Sequence, residues 1–303
     1  MKKTLITLLG IVLFGAAVAV EKPAGATMEQ YVDALMRRMT LEEKIGQLNL
    51  PSAGDITTGQ AKSSDIAEKI RRGEVGGLFN IKGVEKIRDV QRIAVEESRL
   101  GIPLIFGMDV IHGYETTFPI PLGLTATWDM EAVERAARIS AVEASAAGIC
   151  WTFSPMVDIA RDPRWGRTPE TYGEDPHLTG TLGCAFVKGL QGNHPKYLKA
   201  VATPKHFAAN NEEHNRAHCN AVISERDLRE YYLPSFEKCI VEGKAQSIMT
   251  AYNAVNGIPC TVNTYLIKKV LREDWGFQGY VVTDCSAPAW MVTQHKYVKD
   301  YET

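Results

Sequence analysis

Runs of like charge are missing from this 303-residue chain. Its 34 Lys and Arg residues and 36 Asp and Glu residues are interspersed, and the formal net charge is only -2. Proteins that bind nucleic acid usually carry a basic patch or stripe, because phosphate contacts supply much of their affinity. The sequence therefore predicts no nucleic-acid partner.

Several motifs of cofactor and metal chemistry are missing as well. No Gly-rich phosphate loop follows the first predicted strand, which disfavours a dinucleotide-binding fold. No GxSxG sequence is present, which disfavours a serine hydrolase. The seven His and six Cys residues form neither an HExxH nor a CxxC or Cys/His pattern, so no metal site is predicted.

One long apolar run stands at the N-terminus. Two lysines precede an apolar stretch over residues 5–20, and the small-x-small tripeptide at residues 17–19 is typical of a cleavage site. The pattern predicts a signal peptide over residues 1–19 and a periplasmic or secreted mature protein. The alternative is an uncleaved anchor, although a membrane span usually needs about 20 apolar residues. No later segment is apolar enough to span a membrane.

The cysteines are sparse and irregularly spaced. Export would permit disulfides, but a chain of this size can bury a core without them. Most of the cysteines are predicted to be buried thiols, and a single disulfide is left open.

Short apolar segments alternate with amphipathic ones along most of the chain. The predicted strands cover residues 75–79, 103–108, 149–153, 200–204, 247–251 and 280–283. Strands that alternate with helices indicate a parallel α/β sheet. Polar residues follow several strand ends, as in a (β/α)8 TIM-like barrel, whose active site lies at the C-terminal ends of its strands. An open doubly wound sheet would also place polar groups there, so the alternation leaves both architectures open.

Two helix starts and one helix break can be assigned from single residues. Thr40 and Ser224 are each followed by acidic residues in the next turn, as N-caps often are. Pro234 is expected to split the helix that follows Ser224, because proline lacks the backbone N–H that a helix interior uses.

Asp284 directly follows the apolar run at residues 280–283. A carboxylate at the end of a buried strand costs desolvation free energy unless cations or hydrogen bonds satisfy it. Asp284 is equally compatible with a cap for the next helix and with a catalytic group.

Two further segments contain candidate binding residues. Lys205 and His206 are either adjacent donors that could hold neighbouring hydroxyl groups of a ligand or a solvated surface pair. The loop at residues 161–167 places three arginines around a tryptophan, which suits both ligand binding and internal bracing. At least one of these arginines is expected to bind ligand.

Five strings together resemble the bacterial members of glycoside hydrolase family 3, the β-glucosidase/β-xylosidase group. The resemblance runs from about Thr40 to the last residue. Its strings are GMDVIHG at 107–113, RDPRWGR at 161–167, KHFAAN at 205–210, MTAYN at 249–253 and GFQGYVVTD at 276–284.

The resemblance implies a (β/α)8 barrel domain over residues 20–303 and a retaining mechanism. It implies that Asp284 is the nucleophile and that Tyr252 lies beside it. The positions that match substrate-binding residues of the family are Asp109, Arg161, Lys205, His206, Arg216 and Tyr252. The reaction needs two carboxyl groups and neither a metal nor an organic cofactor.

Two features depart from the family pattern. Cys285 follows the nucleophile where family β-glucosidases commonly have Trp, whereas the β-xylosidase/α-arabinofuranosidase branch often has Cys. The chain also ends 19 residues after Asp284, before the α/β-sandwich domain that usually supplies the acid/base Glu. The resemblance thus implies an incomplete barrel, and none of Glu170, Glu212 and Glu213 matches the acid/base position.

The expected activity is hydrolysis of terminal non-reducing β-D-glucosidic bonds. The expected substrates are β-linked oligosaccharides or aryl glycosides, and a missing C-terminal domain is an expected partner. The alternatives are a β-xylosidase/α-arabinofuranosidase, a non-hydrolytic sugar-binding fragment, and a truncated chain that does not fold alone.

Overall fold

The computed structural model describes residues 25, 27–53 and 65–302. The predicted signal peptide at residues 1–19 lies outside this part. Within the described residues, no helix is both long and apolar enough to cross a membrane.

The chain divides into two compact units. Of the described residues, those within Met1–Leu50, Ser63–Gly77 and Arg88–Leu104 form the first unit, and those within Pro51–Lys62, Leu78–Ile87 and Ile105–Thr303 form the second. The candidate site residues named above all belong to the second unit.

Short helices form most of the first unit. They are α1 (Met28–Arg38), α2 (Leu41–Gly46) and α3 (Ile66–Arg71), with the end of α4 (Val84–Arg92) and a π-helical turn at Ile93–Glu97. The predicted cap at Thr40 is confirmed, because its side chain accepts from the backbone N–H of Glu43 while Glu43 accepts from that of Thr40. Glu43 also pairs with Arg99 at 2.5 Å.

Eight strands occur among the described residues. They are β1 (Gly77–Phe79), β2 (Ile105–Met108), β3 (Trp151–Thr152), β4 (Asn220–Ala221), β5 (Ser247–Thr250), β6 (Ala254–Val255), β7 (Ile258–Pro259) and β8 (Tyr280–Thr283). The α-helices of the second unit are α5 (Pro121–Thr125), α6 (Met130–Ala146), α7 (Pro176–Gln191), α8 (Glu225–Asp227), α9 (Pro234–Val241) and α10 (Ala287–Thr293). Leu228–Tyr232 and Tyr265–Asp274 are π-helical, and Thr168–Glu170 and Cys260–Val262 are 3-10 helical.

The main strands lie side by side in chain order. β1, β2 and β3 are neighbours, and β5 pairs in parallel with β8. Single parallel bridges, Trp151 to Val201 and Phe207 to Thr250, join β3 to β5 through the segment at residues 201–207. A doubly wound sheet reverses its strand order at a switch point. No such reversal occurs among these described strands, so the order favours the barrel, whose closure stays a prediction.

The row of strands is strongly curved. The rings of Trp151 on β3 and Tyr280 on β8 are in edge contact, with centroids 5.0 Å apart. Two strand positions lie between β3 and β8, and a flat sheet would separate them by about 14 Å at the usual spacing of about 4.8 Å. The sheet therefore bends enough to bring side chains from the starts of distant strands into contact.

One predicted strand differs from the structure, and one hairpin was not predicted. Residues 200–204 contain one bridge, at Val201, and no continuous strand, and Pro204 has no N–H to donate to a ladder. A short antiparallel hairpin of β6 and β7, closed by Asn256 and Gly257 with positive φ, was not predicted. The break at Pro234 is confirmed, because this residue starts α9.

Helices α6 and α7 pack closely in the core of the second unit. A Cβ at Gly189 would lie 2.4 Å from the carbonyl oxygen of Glu134, so only glycine allows this approach. All six cysteines lie among the described residues as unpaired thiols. Only Cys184, Cys239 and Cys260 are buried, so the prediction that most are buried was too broad.

Candidate active site

Asp284 stands at the end of β8, and its side chain is only 13% exposed. The backbone N–H of Cys285 donates to Oδ1 at 2.7 Å. The interpretation of Asp284 as a helix cap is wrong, because α10 begins after Ser286 and no N–H of its first turn reaches the Asp284 carboxylate. The carboxylate is instead turned towards other strand ends.

Burial raises the pKa of Asp284 above its ordinary value of 3.8. The N–H of Cys285, the cations of Lys205 and Arg167 and the hydroxyl of Tyr252 act in the opposite direction. Such a balance is typical of functional carboxylates, which are partly desolvated and yet can ionise near neutral pH.

Lys205 forms an ion pair with Asp109. Its Nζ lies 2.5 Å from Asp109 Oδ1, and the two side chains are 5% and 47% exposed. The interpretation of Lys205 and His206 as a solvated surface pair is therefore wrong, since both residues are buried. Asp109 presents its remaining oxygen lone pairs to solvent, where a ligand hydroxyl could donate to them.

His206 is held from both sides of its ring. Oδ2 of Asp158 accepts from the backbone N–H of His206 at 2.9 Å and lies 2.8 Å from Nδ1. Nε2 lies 3.2 Å from Nη1 of Arg167. A guanidinium can only donate, so Nε2 accepts and the ring proton sits on Nδ1.

The electrostatics agree with this assignment. Burial, together with Arg167 and Lys205, holds the pKa of His206 well below its usual range. The ring is therefore neutral, and the expectation that His206 offers a second donor beside Lys205 is corrected: its Nε2 is an acceptor.

Arg167, rather than Arg161, is the arginine of the loop that joins this cluster. Arg167 binds Glu170 with two hydrogen bonds of 2.7 and 2.8 Å, besides its contact with His206. Arg161 instead donates to the Tyr232 hydroxyl at 3.0 Å and lies over the Tyr231 ring, 4.5 Å from the centroid. The cation that acts on Asp284 from this loop is thus Arg167, and ligand binding by Arg161 stays a prediction.

Tyr252 and Arg216 complete the site. The Arg216 guanidinium lies 4.9 Å from the centroid of the Tyr252 ring and pairs with Glu213 at 2.6 Å. Glu213 also accepts from the indole N–H of Trp165 at 3.3 Å. The structure therefore brings Asp109, Lys205, His206, Arg216, Tyr252 and Asp284 into one connected cluster.

The three glutamates of this region are all engaged. Burial raises the pKa of Glu170, but the Arg167 pair outweighs it and the net shift is downward. Glu212 accepts from the backbone N–H groups of His214 and Asn215, and Glu213 is paired as described. None of the three is a free acid suited to protonate a leaving group.

The sequence pattern placed Asp158 after a strand end but gave it no role, and it did not single out Arg167. Asp158 follows a buried segment much as Asp284 does, and that placement was the available signal. Among the described residues, no group of three or more His, Cys, Asp or Glu side chains is placed to hold a metal ion.

Comparison with known proteins decides the family. Residues 40–300 match the family described as "Glycosyl hydrolase family 3 N terminal domain". The chain belongs to glycosyl hydrolase family 3. It is 41% identical over 261 residues to a periplasmic β-glucosidase of Salmonella typhimurium, covering 86% of this chain and 34% of that protein. It is 37% identical over 227 residues to a β-xylosidase of Formosa agariphila, covering 70% and 31%.

Solved structures of the family agree with the fold. The β-glucosidase of Listeria innocua in complex with isofagomine superposes with a TM-score of 0.81 at 37% identity. The match covers 91% of this chain and 39% of that one. The chain thus spans about a third of the length of the curated family 3 relatives that it matches.

Proposed function

We propose that this chain carries the nucleophile half of a retaining β-glucosidase active site. Asp284 attacks the anomeric carbon of a terminal non-reducing β-D-glucoside and forms a glycosyl-enzyme ester, which water then hydrolyses. The observation that carries the proposal is the largely buried Asp284 carboxylate, faced by Lys205, Arg167 and the Tyr252 hydroxyl.

The surrounding groups bind the sugar in this proposal. Asp109 and Lys205 form the polar edge that holds hydroxyl groups, and His206, Arg216 and Arg161 bind further positions. Hydroxyl contacts that strengthen as the sugar ring flattens lower the barrier. The Tyr252 hydroxyl donates to the Asp284 carboxylate and favours its charged, nucleophilic form.

The acid/base group lies outside this chain in the proposal. General acid assistance typically contributes about 10²–10⁴-fold, and Glu170, Glu212 and Glu213 are all engaged. The chain alone should therefore act best on aryl glycosides whose leaving group needs little protonation. We also propose a (β/α)8 barrel domain over residues 20–303, and an exported protein that resides in the periplasm or is secreted.

A second candidate is a β-xylosidase/α-arabinofuranosidase. Cys285, directly after the nucleophile, is small and half-buried, and several curated relatives are named β-xylosidases. Comparing 2,4-dinitrophenyl β-glucoside with the xyloside tests this alternative: faster release from the xyloside favours it.

The stereochemistry of the product tests the mechanism. Retention predicts that the first sugar released is the β-anomer, which ¹H NMR detects before mutarotation. Asp284→Gly should be inactive, and azide should restore turnover to give the α-glycosyl azide, because one displacement inverts the centre. A β-azide, or unchanged activity of Asp284→Gly, would contradict the proposal. Binding without turnover would favour the non-hydrolytic fragment.

A further inference from the structure

The Tyr252 side chain is held on several sides. Its ring stacks on that of Trp290, with centroids 4.2 Å apart and planes 27° apart. The guanidinium of Arg216 lies 4.9 Å from the Tyr252 ring centroid. Nε2 of His295 donates to the backbone carbonyl of Tyr252 at 2.7 Å. Tyr252 is only 7% exposed, so these contacts define its position.

The residues that hold Tyr252 from the C-terminal side, Trp290 and His295, follow Asp284 closely in the chain. Ser286 has a φ of +61° and turns the chain into α10 two residues after Asp284. Trp290 then lies on α10, and the backbone N–H of His295 bonds to the Trp290 carbonyl at 2.8 Å, where the helix ends. The same short segment that follows Asp284 therefore also holds its neighbour Tyr252.

The hydroxyl of Tyr252 needs this support to act on Asp284. It lies close enough to the carboxylate to favour the charged form of Asp284. An O–H···O bond is strong only over about 2.5–3.0 Å and near-linear angles. The effect of the Tyr252 hydroxyl on Asp284 has the same dependence on distance and angle, so a tilt of the ring by about an ångström would weaken it.

We propose that Trp290 is a positioning residue, which fixes the Tyr252 ring so that its hydroxyl stays on the Asp284 carboxylate, while His295 secures the backbone. The functional consequence rests on the proposed role of Asp284 as nucleophile. The positioning of Tyr252 by Trp290 does not depend on that role.

Several groups face Asp284 besides Tyr252. They are Lys205, Arg167, His206, Cys285 and, through Cys285, Asp109. Trp290 makes its ring contact with Tyr252. A Trp290 substitution should therefore change the contribution of Tyr252 and leave the others in place.

The direct test is an NMR titration that needs no substrate. With [4-¹³C]aspartate, the Asp284 carboxyl is assigned from its absence in Asp284→Asn and titrated in each variant. Trp290→Ala should shift the Asp284 midpoint upward, by up to about one pH unit, since an interaction that favours the charged form is weakened. Trp290→Phe keeps a stacking ring and should remain near the unsubstituted chain.

His194→Ala is the matched control, because it removes another stacked ring pair, His194 on Tyr197 at 5.1 Å. It should leave the Asp284 midpoint unchanged. If Trp290→Ala lacks a cooperative unfolding transition, Trp290→Leu replaces it, since leucine fills volume without an aromatic face. An unchanged midpoint in the folded Ala or Leu variant would overturn the proposal, as would an equal shift in Trp290→Phe.

A second arm separates this proposal from the proposed function. The rate of labelling by a 2-deoxy-2-fluoro glucoside with a good leaving group is measured against pH. Its acid limb reports ionisation of the nucleophile and should move upward in Trp290→Ala by the amount seen in the titration. If the unsubstituted chain is not labelled, the proposed function fails, while the titration still decides whether Trp290 positions Tyr252.

Discussion

Replacing Asp284 by asparagine should stabilise the folded chain at neutral pH. Burial raises the pKa of this carboxyl even though Cys285, Lys205 and Arg167 act against it. Ionising Asp284 in the folded state therefore costs free energy that the unfolded chain does not spend. We expect Asp284→Asn to raise the free energy of unfolding by about 0.5–2 kcal/mol, the usual range when a residue that serves activity is replaced by one that the fold prefers.

The effect should depend on pH with a definite sign. Below 3.8, the ordinary pKa of Asp, the carboxyl is protonated in both the folded and the unfolded chain, and the variant should gain nothing. As the pH rises through the raised folded-state pKa, the unsubstituted chain loses stability while the asparagine variant does not. The difference should then level off above that pKa.

Urea unfolding between pH 4 and pH 7.5 measures this difference. Asp274→Asn is the control with the opposite sign, because Lys269 and Arg229 hold the pKa of Asp274 below its usual value. At neutral pH this control should be less stable than the unsubstituted chain. The deficit should disappear on acidification, because the unsubstituted chain then loses the stabilisation that ionised Asp274 provides. A loss of stability in Asp284→Asn at pH 7, or a gain that does not change with pH, would refute the reasoning.

Two further predictions follow from the packing and from the arginine loop. Gly189→Ala should destabilise the chain by about 1–3 kcal/mol in urea unfolding, because its Cβ would meet the Glu134 carbonyl oxygen at 2.4 Å. Gly123→Ala is the control and should be tolerated, because the nearest atoms to its Cβ lie at 3.7 Å. Equal losses of stability in the two variants would contradict this prediction. Arg167→Lys should slow fluoroglycoside labelling at least about tenfold, as one lost charge-assisted contact implies. The effect should be larger than that of Arg161→Lys. The reverse order would contradict this prediction and favour Arg161, the arginine that the resemblance matches to a substrate-binding position.

The strands and caps could be predicted because they depend on short-range patterns. The apolar runs that became β5 and β8 are bounded by turn residues, and Thr40 caps its helix through a residue three positions away. The hairpin at Asn256 and Gly257 was not predicted, although its signal was present, since this dipeptide favours the positive φ values that a two-residue turn needs. The π-helical segments could not be told from α-helices in the sequence, because the spacing of apolar residues in a π turn is too close to that in an α-helix.

The site itself was predictable only in part. Asp284 and Lys205 lie at strand ends, where topology alone brings polar residues together. Which arginine of the loop at residues 161–167 turns inward depends on the path of a turn-rich segment, and no periodicity encodes it. Likewise, the role of Asp158 depends on the tautomer of His206. That tautomer can be assigned only from the structure, where Asp158 lies at one ring nitrogen and Arg167 at the other.

The central claim is that Asp284 is the nucleophile of a glycosidase site that this chain assembles. The measurement that tests it most directly is the intact and peptide mass spectrum after incubation with a 2-deoxy-2-fluoro glucoside that carries a good leaving group. We predict one glycosyl adduct, located on Asp284 and absent from Asp284→Asn. An adduct on another residue, or none from the folded chain with either the fluoro-glucoside or the fluoro-xyloside, would contradict the claim.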